Sequence, residues 1–122
     1  MDYLNIIIIA LIVLFLLWRM LPAKGIRQIT ATELKNELLD KNKQFIDVRT
    51  PSEYKANHIK GFNNIPLQQL AQKSAELSRD REVVVICQSG MRSNTASKML
   101  RKLSFNKVTN VKGGMSAWSS SK

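Results

Sequence analysis

The stretch "VVVICQSGMRS", Val83 to Ser93, decides how this chain is read. Four β-branched residues run directly into Cys87, the only cysteine of the 122 residues. With Glu82 in front, "EVVVI" reads as a continuously apolar strand, as expected where both faces of a sheet are covered. "SNTASKMLRKLS", Ser93 to Ser104, reads as a helix. The thiol therefore sits between the carboxyl end of a strand and the start of a helix, where open α/β sheets bind their ligands. Backbone N–H groups converge there and favour negative charge. The helix terminus and Arg92 would both favour a thiolate. Gly90 permits a tight turn. Cys87 also reads as a small buried hydrophobe closing the strand, since thiols are among the most buried side chains. From the loop alone, both readings stand.

Working outward, strands and helices alternate. Thr30 followed by Glu33 has capping-box spacing and predicts a helix from about Ala31. Leu34, Leu38 and Leu39 would form its apolar side. "QFIDV", Gln44 to Val48, reads as a strand, and Pro51 as the first residue of a helix over "PSEYKAN". Pro66 plays the same part for "PLQQLAQKSAELS", with Leu67, Leu70 and Leu77 as a loose stripe. "KVTNV" is a further strand. Gly113-Gly114 mark a turn before Met115 to Trp118. This alternation predicts an α/β fold with a parallel sheet covered on both faces.

The beginning of the chain is different. "YLNIIIIALIVLFLLW", Tyr3 to Trp18, carries no charge and one polar residue, Asn5. Extended to Leu21, it predicts a transmembrane helix about 28 Å long, close to the bilayer core of about 30 Å. Tyr3 and Trp18 suit the two interfaces, and Arg19 can snorkel to the headgroups. A cleaved signal peptide should have a basic start, whereas the only early charge is Asp2. A core helix this apolar does not suit so small a domain. The expected organisation is an anchor at 1–21, a linker at 22–25 and one domain at 26–122. Arg19, Lys24 and Arg27 follow the span and none precedes it. The positive-inside rule places the domain in the cytoplasm, at the cell membrane, in a single-pass arrangement.

The formal net charge is +10, and all nineteen Lys and Arg residues lie at or beyond residue 19. Such a balance suits an anionic partner, whether lipid headgroups or a small anion. Nucleic acid is not expected, because no aromatic-basic interleaving accompanies the charge. One cysteine excludes an internal disulfide framework and favours a reducing compartment. One Cys and one His support no metal site, and no cofactor is called for.

Three segments together resemble the single-domain rhodaneses. "CQSGMRS" looks like their active-site loop. "FIDVRTPSEYKANHIKGFNNIPL", Phe45 to Leu67, resembles their D-V-R segment, and "VTNVKGGMSAW", Val108 to Trp118, their closing G-G-x-x-x-W segment. The likeness covers nearly all of residues 26 to 119. Two positions depart from it: Asn57 stands where glycine is usual, and Phe62 where alanine is usual. The resemblance implies a five-stranded parallel sheet with helices on both sides. It implies a double-displacement sulfur transfer through a Cys87 persulfide, from thiosulfate or a persulfide to a thiol or cyanide. A persulfide is anionic and needs shielding and converging donors. Gln88, Ser89, Gly90, Met91, Arg92 and Ser93 would supply that cradle, with Arg92 closing it and attracting an anionic donor.

Asp47 and Arg49 lie in the D-V-R match. They either tune the site or serve structure, as an ion pair with Glu53 or as a loop anchor. His58, the only histidine, reads as a structural hydrogen-bonding residue. Trp118 and the two glycines read as packing and turn residues. Two other functions compete with sulfur transfer. A related phosphatase or arsenate reductase would need a longer loop, for only four residues separate Cys87 from Arg92. A non-enzymatic interaction module at the membrane would not need the cysteine.

Overall fold

The computed structural model describes residues 2–20 and 25–120, leaving aside the side chain of Met20. The element order is α1 (Tyr3–Met20), β1 (Ile26–Ile29), α2 (Ala31–Glu37), β2 (Gln44–Asp47) and α3 (Pro51–Ala56). Then follow β3 (Asn63–Asn64), α4 (Leu70–Lys73), β4 (Val83–Ile86), α5 (Met91–Lys102), β5 (Val108–Val111) and α6 (Gly114–Ser120). The five strands form one parallel sheet in the order β1-β5-β4-β2-β3. This is the expected α/β architecture. β1 and the two-residue β3 carry no apolar run, and only pairing makes them strands.

The register aligns Gln44 with Val83 and Val83 with Val108, while Ile26 also pairs with Val108. Four strands thus start at one level. Side chains alternate across a strand. Val83, Val85 and Cys87 enter one core layer with Leu70, Ala96, Leu100 and Phe105, beneath α4 and α5. Val84 and Ile86 enter the other, with Ile29, Leu34, Phe45, Phe62 and Met115, beneath α2 and α6. All four β4 residues are fully buried, which accounts for the unbroken Val-Val-Val-Ile run.

Two capping boxes set helix starts. At α2, Thr30 accepts from the Glu33 N–H and Glu33 accepts from the Thr30 N–H. Thr50 and Glu53 repeat the device at α3, with Pro51 in its first turn. Some expectations need correction. α2 ends at Glu37, so Leu39 leaves the apolar side and is 88% exposed. The helix expected after Pro66 is broken into a 3₁₀ turn (Leu67–Gln69), the short α4 and a second 3₁₀ turn (Ser74–Glu76). α5 begins two residues earlier than Ser93, because Gly90 in a left-handed conformation turns the chain into it. Phe62 is buried and packs on Phe45 with ring centroids 5.3 Å apart, so the larger residue fills a core position. Asn57 has φ −169°, extended backbone that needs no glycine.

α1 is helical over its eighteen residues, and its large apolar side chains are exposed all round. At 1.5 Å per residue it rises about 27 Å, slightly less than the bilayer core of about 30 Å. Among the described residues no helix is long and apolar enough to cross a membrane. Leu21 and the linker residues 22–24 lie outside the described residues, as does the end of the "SSSK" tail.

Candidate active site

Cys87 leaves β4 at the carboxyl edge of the sheet and is 1% exposed. The chain turns at once through Gln88, Ser89 and Gly90 into α5. Gly90 has φ +102°, and a Cβ there would lie 3.3 Å from the Gly113 nitrogen, so this position demands glycine. The turn brings the Gly90 N–H back to donate to Cys87 Sγ at 3.0 Å. The thiol in turn donates to Ser93 Oγ at 3.3 Å, and the Ser93 hydroxyl donates to the Gly90 carbonyl at 3.2 Å. Of the six loop residues predicted, Gly90 and Ser93 therefore touch the sulfur. Gln88, Ser89 and Met91 form the exposed rim, Met91 at 79% exposure.

The loop's backbone is fixed from the far end of the sequence. The Met115 N–H donates to the Cys87 carbonyl at 2.8 Å, and the Ser116 N–H to the Gln88 carbonyl at 3.0 Å. A Cβ on Gly114 would fall 2.1 Å from the Cys87 carbonyl oxygen. Gly114 is thus a contact residue of the cysteine loop as well as a turn. The sequence reading placed it only in the turn. Its one sequence sign was the doubled glycine before a helix.

The Arg92 guanidinium makes its hydrogen bonds to Glu53 rather than to the thiol. It grips the carboxylate with two bonds, Nη1 to Oε1 at 2.7 Å and Nη2 to Oε2 at 2.9 Å. That bond holds the Glu53 carboxyl at a pKa of about 2, with burial opposing it and Thr50 assisting. Glu53 in turn raises the Arg92 pKa, with smaller contributions from Cys87 and Asp47. The sequence pointed to Glu53 only as an ion-pair partner for Asp47 or Arg49; its pairing with Arg92 has no local sequence sign.

Asp47 and Arg49 pair with each other, not with the Glu53 carboxylate. Asp47 is fully buried and accepts from the Arg49 Nε, Nη2 and backbone N–H. Arg49 also donates to the carbonyls of Glu53 and Asn57 and, at 3.4 Å, to Gln88 Oε1. The pair ties α3 to the sheet and reaches the loop through Gln88. His58 is exposed at the end of α3, stacked on Tyr54 and bonded through Nδ1 to the Tyr54 carbonyl. Among the described residues no group of three His, Cys, Asp or Glu side chains is placed to hold a metal ion.

A buried sulfur with one fixed N–H donor and one rotatable hydroxyl is chemically suited to carry charge. When the thiol loses its proton, Ser93 can turn its own O–H toward the sulfur while the Gly90 N–H stays in place.

The family model for the rhodanese-like domain matches residues 30–121. The uncharacterized protein YqhL of Bacillus subtilis (strain 168) is 44% identical over 75 residues, covering 62% of this chain. The chain spans only 60% of YqhL's own length. The thiosulfate sulfurtransferase GlpE of Pseudoalteromonas translucida (strain TAC 125) is 35% identical over 83 residues, 67% of this chain and 79% of that protein. A crystal structure of a rhodanese-like domain protein from Staphylococcus aureus superposes with a TM-score of 0.70 at 32% identity, covering 75% of this chain and 90% of its own. The parallel sheet, the cysteine at the end of its central strand and the glycine-braced loop after it are what that match spans, and the chain belongs to the rhodanese-like domain family.

Proposed function

We propose that this protein is a sulfurtransferase that carries sulfane sulfur on Cys87. In the first step the Cys87 thiolate attacks the outer sulfur of thiosulfate, or of a persulfide or polysulfide. An S–S bond forms at Cys87, the donor's own bond to that sulfur breaks, and sulfite or a thiolate leaves with the electron pair. In the second step a thiol or cyanide acceptor attacks the outer sulfur. Cys87 then leaves as thiolate, releasing a new persulfide or thiocyanate. The observation that carries this reading is the Gly90 N–H held 3.0 Å from a buried Sγ at a strand end. That donor is in place before charge develops, which is how a preorganised site stabilises an anion. The engagement of Arg92 by Glu53 weighs against a phosphatase, whose phosphate would need a free guanidinium over the loop.

The second part of the reading is attachment to the cell membrane through α1, in a single pass, with the domain at 26–122 on the cytoplasmic side. Its support is a helix whose apolar side chains are exposed on every side, a surface that water does not favour. The described α1 falls short of a crossing by itself, and the reading completes the span with Leu21, the residue the sequence adds to it. Local thinning and a snorkelling Arg19 accommodate the difference.

The test uses the full chain in detergent beside its Cys87→Ser variant. After thiosulfate or polysulfide, the wild type should gain one sulfur atom by intact mass and lose it on cyanide addition as thiocyanate forms. No gain with either donor would overturn sulfur transfer and leave an interaction module. Resistance of the membrane-expressed chain to alkaline carbonate extraction tests the attachment separately.

A further inference from the structure

We infer that the end of the sheet where the strands begin docks flat on an anionic lipid surface, so that the Cys87 loop faces away from the membrane. The inference rests on the reading of α1 as the membrane attachment. Parallel strands give the sheet two unlike ends. Gly25, Lys43, Glu82 and Lys107 immediately precede β1, β2, β4 and β5, and the register puts them at one level. Cys87 lies five residue steps beyond Glu82 along the chain, about 16 Å at about 3.3 Å per residue.

The chain joins α1 to that same end. Five residue steps separate Met20 from Gly25, a reach of no more than about 18 Å even when extended. A tether so short holds the strand-starting end toward the bilayer. To lay the Cys87 end on the lipid it would have to reach around the full depth of the domain.

The charge at this end fits the same partner. Arg79, Arg81 and Arg101 each donate to backbone carbonyls of loops there: Leu103, Lys41 with Asn42, and Phe105 with Asn106, respectively. These bonds staple the loops and leave the positive charges uncancelled. Among the described residues no carboxylate lies within 4.0 Å of these three arginines, nor of Lys41 or Lys107. By contrast, Arg27 and Lys43 are compensated by Glu37 and Glu82. Asp40 and Asp80 stand on the same loops, so the five cations keep the majority. An open cleft of about 400 Å³, lined by Gly25, Arg27, Lys43, Glu82 and Lys107 among others, gives a headgroup room to enter beside Lys107, the lining cation that no carboxylate compensates.

The experiment reconstitutes the full chain in nanodiscs of phosphatidylcholine alone, or with phosphatidylserine as about a third of the lipid. Hydrogen exchange is read at the amides of residues 38–43, 77–82 and 103–107. Expected is exchange slowed by about tenfold or more on the anionic discs, reversed by salt, with the amides of residues 88–90 unchanged. The double variant Lys41→Glu/Lys107→Glu should abolish the slowing. Neither side chain bonds within the domain, so the fold is retained, as its melting temperature will report. Equal exchange on both lipids, with the chain still resisting carbonate extraction, would overturn the docking and leave the attachment standing. Protection at residues 88–90 instead would overturn the orientation. If carbonate releases the chain, the attachment reading fails, and the lipid dependence of exchange still decides the docking.

Discussion

Arg92, one residue into the helix after the cysteine loop, is bound through both guanidinium Nη atoms to Glu53 on α3, at 2.7 and 2.9 Å. Two segments 39 residues apart are thereby clamped on the exposed side of the site. The clamp has a definite pH signature. Folding lowers the Glu53 carboxyl from an ordinary 4.5 to about 2. A depressed folded value stabilises the protein above the unfolded pKa, and that contribution is lost as pH falls from about 4.5 toward 2. Both side chains are about a third exposed, so solvent screening leaves about 1 kcal/mol. Urea unfolding midpoints across that window should fall faster in the wild type than in Glu53→Gln. Parallel curves would show that the pair contributes nothing.

Replacement of Gly114 by alanine should be among the most damaging small changes in the chain. The new methyl would lie 2.1 Å from a backbone oxygen that has no room to retreat, at φ +55°. A loss of about 3 kcal/mol is expected from overpacking together with backbone strain. Gly61→Ala is the control: φ is +101° there but nothing lies within 4 Å, so only the conformational cost remains, about 1 kcal/mol. Thermal melts of the two variants should differ clearly. If they coincide, the contact with the Cys87 carbonyl is not limiting.

Ser93→Ala removes the hydroxyl that pairs with Sγ and keeps the helix. Loading of sulfur from thiosulfate should slow about tenfold, the value of one hydrogen bond to a charged group. Ser93→Thr keeps a hydroxyl and tests for partial rescue. Unchanged loading in Ser93→Ala would assign charge stabilisation to the Gly90 N–H alone.

Asp47→Ala strips the buried Arg49 of its carboxylate. Breaking a buried pair from one side costs about 3 to 5 kcal/mol. Denaturant unfolding should show that loss. The folded fraction should still load sulfur on Cys87, because the pair reaches the loop only through the long Gln88 contact. If loading per folded molecule also collapsed, Asp47 and Arg49 would be tuning the chemistry.

Much of the fold was written in local patterns. The apolar β4 run, the Thr30–Glu33 box and the Pro51 start each act within a few residues and were readable. β1 and β3 were not, because IRQI and NN become strands only by bonding to β5 and β2. At the site, the position of Cys87 at a strand end followed from sequence. Arg92's partner did not, since the guanidinium has the same reach toward the loop as toward α3. Only the placement of Glu53 on α3 within reach of the start of α5 decides for it. Gly114 shows the same limit: its close approach to Cys87 depends on a strand order that no single segment encodes.

The bracing of the Cys87 and Gln88 carbonyls by Met115 and Ser116 has a consequence for how the protein is made. A ribosome delivers Cys87 and its whole loop well before it delivers Gly114, 27 residues later. Until then the nascent chain exposes a thiol whose turn lacks its last two backbone partners. The reactive geometry therefore matures only once Met115 and Ser116 have been added, and a nascent chain stalled before Met115 would have a thiol with an unfinished cradle.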